Sequence, residues 1–328
     1  MYRWLNSARG ARLCAGLGAG AIAWSSIFVK LSHASPSTAA IFRCAYAVPV
    51  LLVLMLIENR RFGRRPWHDR RPAIYGGVFM AIDLILWHHS IDDVGAGLAT
   101  VLANVQVVLV PLVAWIVLSE HPGRRVLQAI PATIVAVLLI SGVAEHGAYG
   151  RDPGMGTVYG VGAGIAYVGV LLFLRRGGVD LRRPAGPLFD LTLTAAVTAS
   201  IIGAVLGEAK FVPVWPGTGW LILLALTSQV AGWMLITISL PRLPAAITSL
   251  LLMIQPIGSM ILGAIIFSED PSALQLLGVI VMICAVIYAT RSPAPVPEPA
   301  PAGAGRISET DPGTVPAAAE PLPTRPRA

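Results

Sequence analysis

Short polar segments break the chain at regular intervals. The apolar stretches between them run to about 20 residues, the length that crosses a hydrocarbon core of roughly 30 Å. Ten stretches are predicted as transmembrane helices, at 13–32, 38–57, 73–91, 96–118, 124–144, 156–174, 186–207, 217–240, 244–267 and 273–290. The most informative piece is Val94–Ile140, where an apolar run, the polar break SEHPGRR and a second apolar run follow one another. The same pattern returns at Leu243–Ala289, with the break SEDPSAL, without a gap and at a constant offset of 149 residues. Gln106 falls on Gln255, Ser119 and Glu120 on Ser268 and Glu269, and Pro122 on Pro271. Leu matching Ile means little in an apolar protein. A Gln and an SExP break matching in register argue for a duplicated unit.

Composition agrees. Of 328 residues, 55% are hydrophobic and 12% charged, and the mean hydropathy is +0.72. Soluble domains carry about twice that charged fraction, so the expected fold is an all-α polytopic membrane protein. Cys14, Cys44 and Cys284 all fall inside predicted spans, with no spacing that suggests zinc or a redox pair. Arg12 spoils a lipidation box at Cys14, and the first apolar segment reads as an uncleaved span.

The net charge of +7 comes almost entirely from arginine, and where the arginines sit decides its meaning. With the N-terminus inside, 20 of the 24 basic residues lie on the cytoplasmic side, leaving Lys30, Arg43, Arg151 and Lys210 elsewhere. The positive-inside rule therefore places both termini in the cytoplasm. The arginine-rich run 58–71 is then explained by topology and anionic headgroups, and nucleic acid is not an expected partner. Five spans per half make the second half enter the membrane from the opposite face, an inverted repeat. The organisation expected is a cytoplasmic N-terminus 1–12, repeats 13–144 and 156–290, an external linker 145–155, and a disordered Pro/Ala-rich cytoplasmic tail 291–328.

Candidate chemistry is sparse. Asp83 lies halfway along the third span with no basic neighbour in sequence. A carboxylate at bilayer depth by default marks a functional site; it can bind a proton or the cationic part of a solute, or pair structurally with Arg43. Gln106 and Gln255, with Asn104 and Thr248, are candidates to line the path in spans 4 and 9, and amides that merely join helices are the alternative. Pro111 and Pro256 interrupt the same two spans. Trp24, Gln229 and Trp233 are candidates for the same cavity, with interfacial anchoring as the alternative for the tryptophans. Glu120, Glu269, Pro122 and Pro271 read as structural punctuation at span ends. The HHSIDD cluster (88–93) reads as a polar helix end, a metal site or an HxxxxD enzyme motif being the other readings. Asp190 is expected to be solvated near the headgroups. GLGAG (16–20) echoes GVGAG (160–164), which suggests close helix packing.

Spans 3 to 5, beginning AIDLILWHHSIDDVGAGLATVLANVQ, together with spans 8 to 10 resemble the paired repeats of EamA-type proteins in the drug/metabolite transporter superfamily. The resemblance covers residues 11 to 290. It departs from the family where Ser119 and Ser268 stand in place of a usual Gly. It implies ten helices in an inverted five-plus-five arrangement that move a small solute across the plasma membrane. The expected activity is that of a secondary transporter and exporter, not an enzyme. Its partners would be the solute, a proton or other coupling ion and membrane lipids, with no cofactor or metal, and a homodimer is left open. No Walker sequence is present, which argues against ATP as the direct energy source. A membrane-embedded enzyme acting on lipid, and a non-transporting sensor that uses the tail, are the competing readings.

Overall fold

The computed structural model describes residues 8–119, 121–143, 147–177, 180, 182–239, 243 and 251–291. Glu120 and Thr248 lie outside the described residues. All regular structure among the described residues is helical, as it must be where lipid offers the backbone no partner. The first span is two helices, α1 (Ala8–Ala23) and α2 (Ser25–Ser32), broken at Trp24. Helix α3 (Pro36–Phe62) follows, then α4 (Trp67–Ala103), which contains a single non-helical residue, Gly95. After Asn104 and Val105 come α5 (Gln106–Leu118) and α6 (Arg124–Ile140). The second half has α7 (Pro153–Gly177), α8 (Ala185–Val205), α9 (Gly217–Leu224), a π-helical segment Ala225–Gly232, α10 (Trp233–Ser239), α11 (Ile254–Phe267) and α12 (Ala273–Thr290). Seven of the described helical segments are long and apolar enough to cross a membrane; α5 and α11 are shorter apolar helices.

The repeat seen in sequence is also a repeat of backbone geometry. Helix α3 starts at Pro36 and α8 at Ala185, and α6 starts at Arg124 and α12 at Ala273, each pair 149 residues apart. Ser119 ends α5 with φ 57° and Ser268 ends α11 with φ 53°, both left-handed. Their amides donate to Ala114 O and Gly263 O, again equivalent positions. This is the helix-ending conformation that Gly adopts without strain.

Equivalent helices pack against each other and run antiparallel. Glu58, near the end of α3, accepts hydrogen bonds from Ala185 N and Gly186 N at the start of α8, both 2.8 Å. At the opposite end Ser37 Oγ, near the start of α3, donates to Glu208 Oε2 just past α8, at 2.6 Å. Helices α6 and α12 repeat the arrangement. Gln275 Nε2 at the start of α12 reaches Ile140 O at the end of α6 (3.3 Å), and Arg125 Nη1 reaches Arg291 O at the far end (2.6 Å).

At Gly95 (φ 87°, ψ 169°) the chain doubles back. Ser90 before the turn and Leu102 after it meet at the same point on α7, where a Cβ on Gly160 would stand 3.0 Å from Ser90 Oγ and 2.7 Å from Leu102 Cβ. The segments of α4 before and after Gly95 are therefore two arms of a helical hairpin with one residue at its apex, and glycine on α7 admits both arms. The GLGAG of α1 is not its equivalent: Gly16 and Gly20 have room around them, and it is Gly18 that packs on Gly232 O.

Because a left-handed residue with a side chain costs about 1 kcal/mol or more, Ser119→Gly and Ser268→Gly should each stabilise the protein by up to about 1 kcal/mol. Ser119→Val should destabilise by about 1–2 kcal/mol. Thermal unfolding in one detergent compares the three; the backbone argument fails if the glycine variants melt below the parent.

Candidate functional site

The break in span 1, the second turn of α3, the middle of α4 and the π-helical segment together enclose a polar cluster. Arg43 of α3 is 3% exposed. Its Nε donates to Gln229 Oε1 (3.0 Å), its Nη1 donates to Ser25 Oγ (3.1 Å), and its guanidinium stands 5.8 Å from the centre of the Trp87 ring. The Gln229 amide is oriented by Thr192, whose Oγ1 accepts from Nε2 at 3.2 Å, and by Met80 Sδ at 3.6 Å. Asp83 of α4 is 8% exposed. It lies within electrostatic reach of Arg43 and Tyr167, yet accepts no hydrogen bond from any described residue. Tyr167 in turn packs on Trp233, with ring centres 6.0 Å apart.

Local structure explains how these side chains reach one another. Ser259 Oγ donates to Ala23 O (2.9 Å) and Ser228 Oγ to Ala21 O (2.9 Å), so hydroxyls from α11 and the π segment bond carbonyls at the broken helix. Ser26 Oγ lies 3.0 Å from Ser259 Oγ. π-Helical turns often mark functional positions in helices, and this one carries Ser228 and Gln229. A buried guanidinium is costly unless its donors and charge are matched. Here two donors are matched to neutral groups and the nearby carboxylate keeps its acceptors free. In such a pair the carboxylate can take up or release a proton, or the site can take up a solute's polar group.

The other candidates are placed separately. Trp24 stacks on Phe28 at 5.7 Å and is 41% exposed. Asn104 is turned back on its own helix, Nδ2 donating to Thr100 O at 2.7 Å. Gln106 is half-buried, with Oε1 enclosed and lacking a partner. Gln255 is half-buried on α11. Helix α5 packs mainly on α7, α6 and α12, whereas α11 packs mainly on α4 and α1, so the two amides sit in different surroundings. Pro111 lies inside α5, Pro256 in the first turn of α11 where a proline is tolerated, and Pro122 and Pro271 just before α6 and α12.

Glu269 is a second centre. It is 6% exposed, and its carboxylate caps the second arm of the α4 hairpin. Ala96 N donates to Oε1 at 2.8 Å and Gly97 N donates to Oε2 at 3.1 Å. Lys30 Nζ donates to Oε1 at 2.7 Å and lies over the Phe267 ring, 4.5 Å from its centre. A carboxylate with two amide donors at a helix start and an ammonium is well compensated. Sequence reading missed Lys30 here. Its signal is that it is one of the few basic residues away from the arginine-rich face.

The HHSIDD cluster is divided among separate partners. His88 Nδ1 is 3.0 Å from Pro36 O, His89 Nε2 is 3.4 Å from Glu208, and Asp93 binds Arg151 at 2.5 Å. The Asp93 carboxylate raises the Arg151 pKa above its ordinary value. No group of three potential metal ligands occurs among the described residues. At the other end of the bundle one expectation is corrected. Asp190 is not solvated: it is 3% exposed and clamped by Arg65 (3.1 Å) and Arg70 (2.6 Å). Burial lowers the Arg65 pKa and Asp190 opposes this; an arginine stays charged through either. Arg183 bonds the carbonyls of Phe62 and Gly63, which ties the arginine-rich connection to the second half.

The sequence matches the EamA-like transporter family over residues 13–142 and again over 154–291. A crystal structure described only as that of a protein shares the fold, with a TM-score of 0.59 and 14% identity over 87% of this chain and 98% of its own. No curated protein matches the sequence.

Removing the Glu269 carboxylate would strand two helix-start amides and an ammonium. Glu269→Ala should therefore cost about 3 kcal/mol of stability. Lys30→Met should cost about 1 kcal/mol, because the lysine is partly exposed and the amides keep their acceptor. Unfolding midpoints of the two variants decide it; equal losses would reject the capping role.

Proposed function

Because the chain belongs to the EamA-like transporter family, we propose that it is a secondary transporter that exports a small metabolite or drug-like solute across the plasma membrane by alternating access. It has ten spans as two inverted repeats, 13–144 and 156–290, joined by the external segment 145–155, with both termini and the tail 291–328 in the cytoplasm. The observation that carries this reading is the antiparallel pairing of equivalent helices, α3 with α8 and α6 with α12. Units related by a two-fold axis in the membrane plane can rock about a site between them, as inverted-repeat transporters do.

Arg43, Asp83, Gln229 and Trp233 form the core of that site, drawn from both repeats. Asp83 takes the proton or the cationic part of the solute, since its carboxylate has no donor among the described residues. Arg43, held by Gln229 and Ser25, supplies a fixed positive charge beside it. Trp24, Asn104, Gln106 and Gln255 line the route on either side, and Thr248, a fifth candidate, lies outside the described residues. The coupling is electrostatic: the charge on Asp83 changes the cost of enclosing the site, so its occupancy biases the equilibrium between outward-open and inward-open forms.

Flux in proteoliposomes, with a panel of amino acids, nucleosides and cationic drugs and with or without a pH gradient, tests the activity. Asp83→Asn should lower flux at least tenfold and flatten its pH dependence, an effect on the order of 1.4 kcal/mol or more; wild-type flux with unchanged pH dependence removes the coupling role. Ser119→Cys and Ser268→Cys should react with a membrane-impermeant thiol reagent from opposite faces. Reaction from one face would reject the inverted topology.

A further inference from the structure

A groove of 300 Å³ runs between α6 and α12, lined by Gln128, Ala129, Ala132, Val281, Cys284 and Tyr288 among others. We propose that it is a binding site for an anionic phospholipid, with an acyl chain in the groove and the phosphate at the arginines that close one end. Positions 125, 128 and 132 of α6 follow one another along a single helix face, as do 291, 288, 284 and 281 of α12. The two helices run antiparallel, so these faces share one direction from charged to apolar.

At the charged end are Arg124, Arg125 and Arg291, all exposed. Arg125 Nη1 donates to Arg291 O at 2.6 Å, which brings the start of α6 and the end of α12 together. One turn further in, Tyr288 OH donates to Gln128 Oε1 at 2.6 Å and forms a polar rung between the arginines and the apolar trough. Beyond the rung the lining is apolar, the small Ala129, Ala132 and Ala285 together with Ile280 and Val281, a surface suited to an alkyl chain.

What selects an anionic headgroup is the unspent charge. Arg65 and Arg70 are committed to Asp190, and Arg182 and Arg183 to Asp180. No described carboxylate pairs with Arg124, Arg125 or Arg291. A second copy of the chain is a poorer occupant. A two-fold dimer through this face would set three arginines against the same three at equal depth, a like-charge contact. Assignment of the site to the cytoplasmic leaflet, where anionic lipids concentrate, rests on the topology proposed above; binding itself does not.

Native mass spectrometry of the full-length protein, offered equal phosphatidylglycerol and phosphatidylcholine, tests the site without reference to transport. Phosphatidylglycerol should be retained over phosphatidylcholine. The triple variant Arg124→Gln, Arg125→Gln, Arg291→Gln should lose retention by roughly fivefold per arginine. Ala132→Phe, or the smaller Ala132→Leu, should lower retention with charge unchanged, and thermal melting checks that both fold. The control Arg60→Gln, Arg61→Gln removes two exposed arginines at the end of α3 and should leave retention intact. The proposal is overturned by equal retention of the two lipids, by a control as damaging as the triple variant, or by Cys284–Cys284 cross-linked dimers that exclude lipid. Unchanged flux in the triple variant alongside lost lipid would leave the transport reading standing, and the reverse result would separate the two the other way.

Discussion

In a bilayer the backbone finds no partner in the solvent, so every interruption of a helix must be answered by another part of the protein. At Gly95 the chain reverses within one residue, and the next two amides point to Glu269. That carboxylate is itself enclosed, and its charge is met by Lys30 from the first span. One side chain thus joins spans 1 and 4 to the loop between α11 and α12. Gly263 is close to the same carboxylate, and Gly97 lies against Met260, so the loop can approach only where side chains are missing.

The same principle works at both ends of the α3–α8 pair. Glu58 caps the start of α8, while Glu208 receives Ser37 at the start of α3. Each helix carries an acid near its end that serves the beginning of its partner. Such reciprocal bonding favours an antiparallel pair. The arginines of the 58–71 segment add to this clasp: Arg65 and Arg70 neutralise Asp190 inside the protein.

Between these clasps the polar groups are less completely matched. Arg43 has good hydrogen bonds but only neutral acceptors, and Asp83 has charge nearby but no donor among the described residues. Elsewhere the fold pairs its carboxylates tightly, as with Asp93, Asp190 and Glu269. Asp83 is a buried carboxylate left without such a partner among the described residues, as is the enclosed amide oxygen of Gln106. For Asp83 this suits the role proposed above.

Much of the architecture is legible in the sequence. The helical segments, the duplication at offset 149 and the interruptions between helices follow from local composition, because some 20 apolar residues between polar breaks suffice to define a span. Asp83 and Arg43 stood out for the same reason, as charges where charge is costly. Their partners did not. Gln229 lies 186 positions from Arg43, and Lys30 lies 239 from Glu269. Glu269 read as punctuation because its role depends on amides 172 and 173 residues away. Asp190 read as solvated because nothing local shows that two arginines of another loop fold over it. Hydrophobicity acts residue by residue along the chain and so decides which segments enter the membrane. Which polar groups then meet depends on how each helix is rotated and which neighbour it packs against, and only the assembled bundle fixes that.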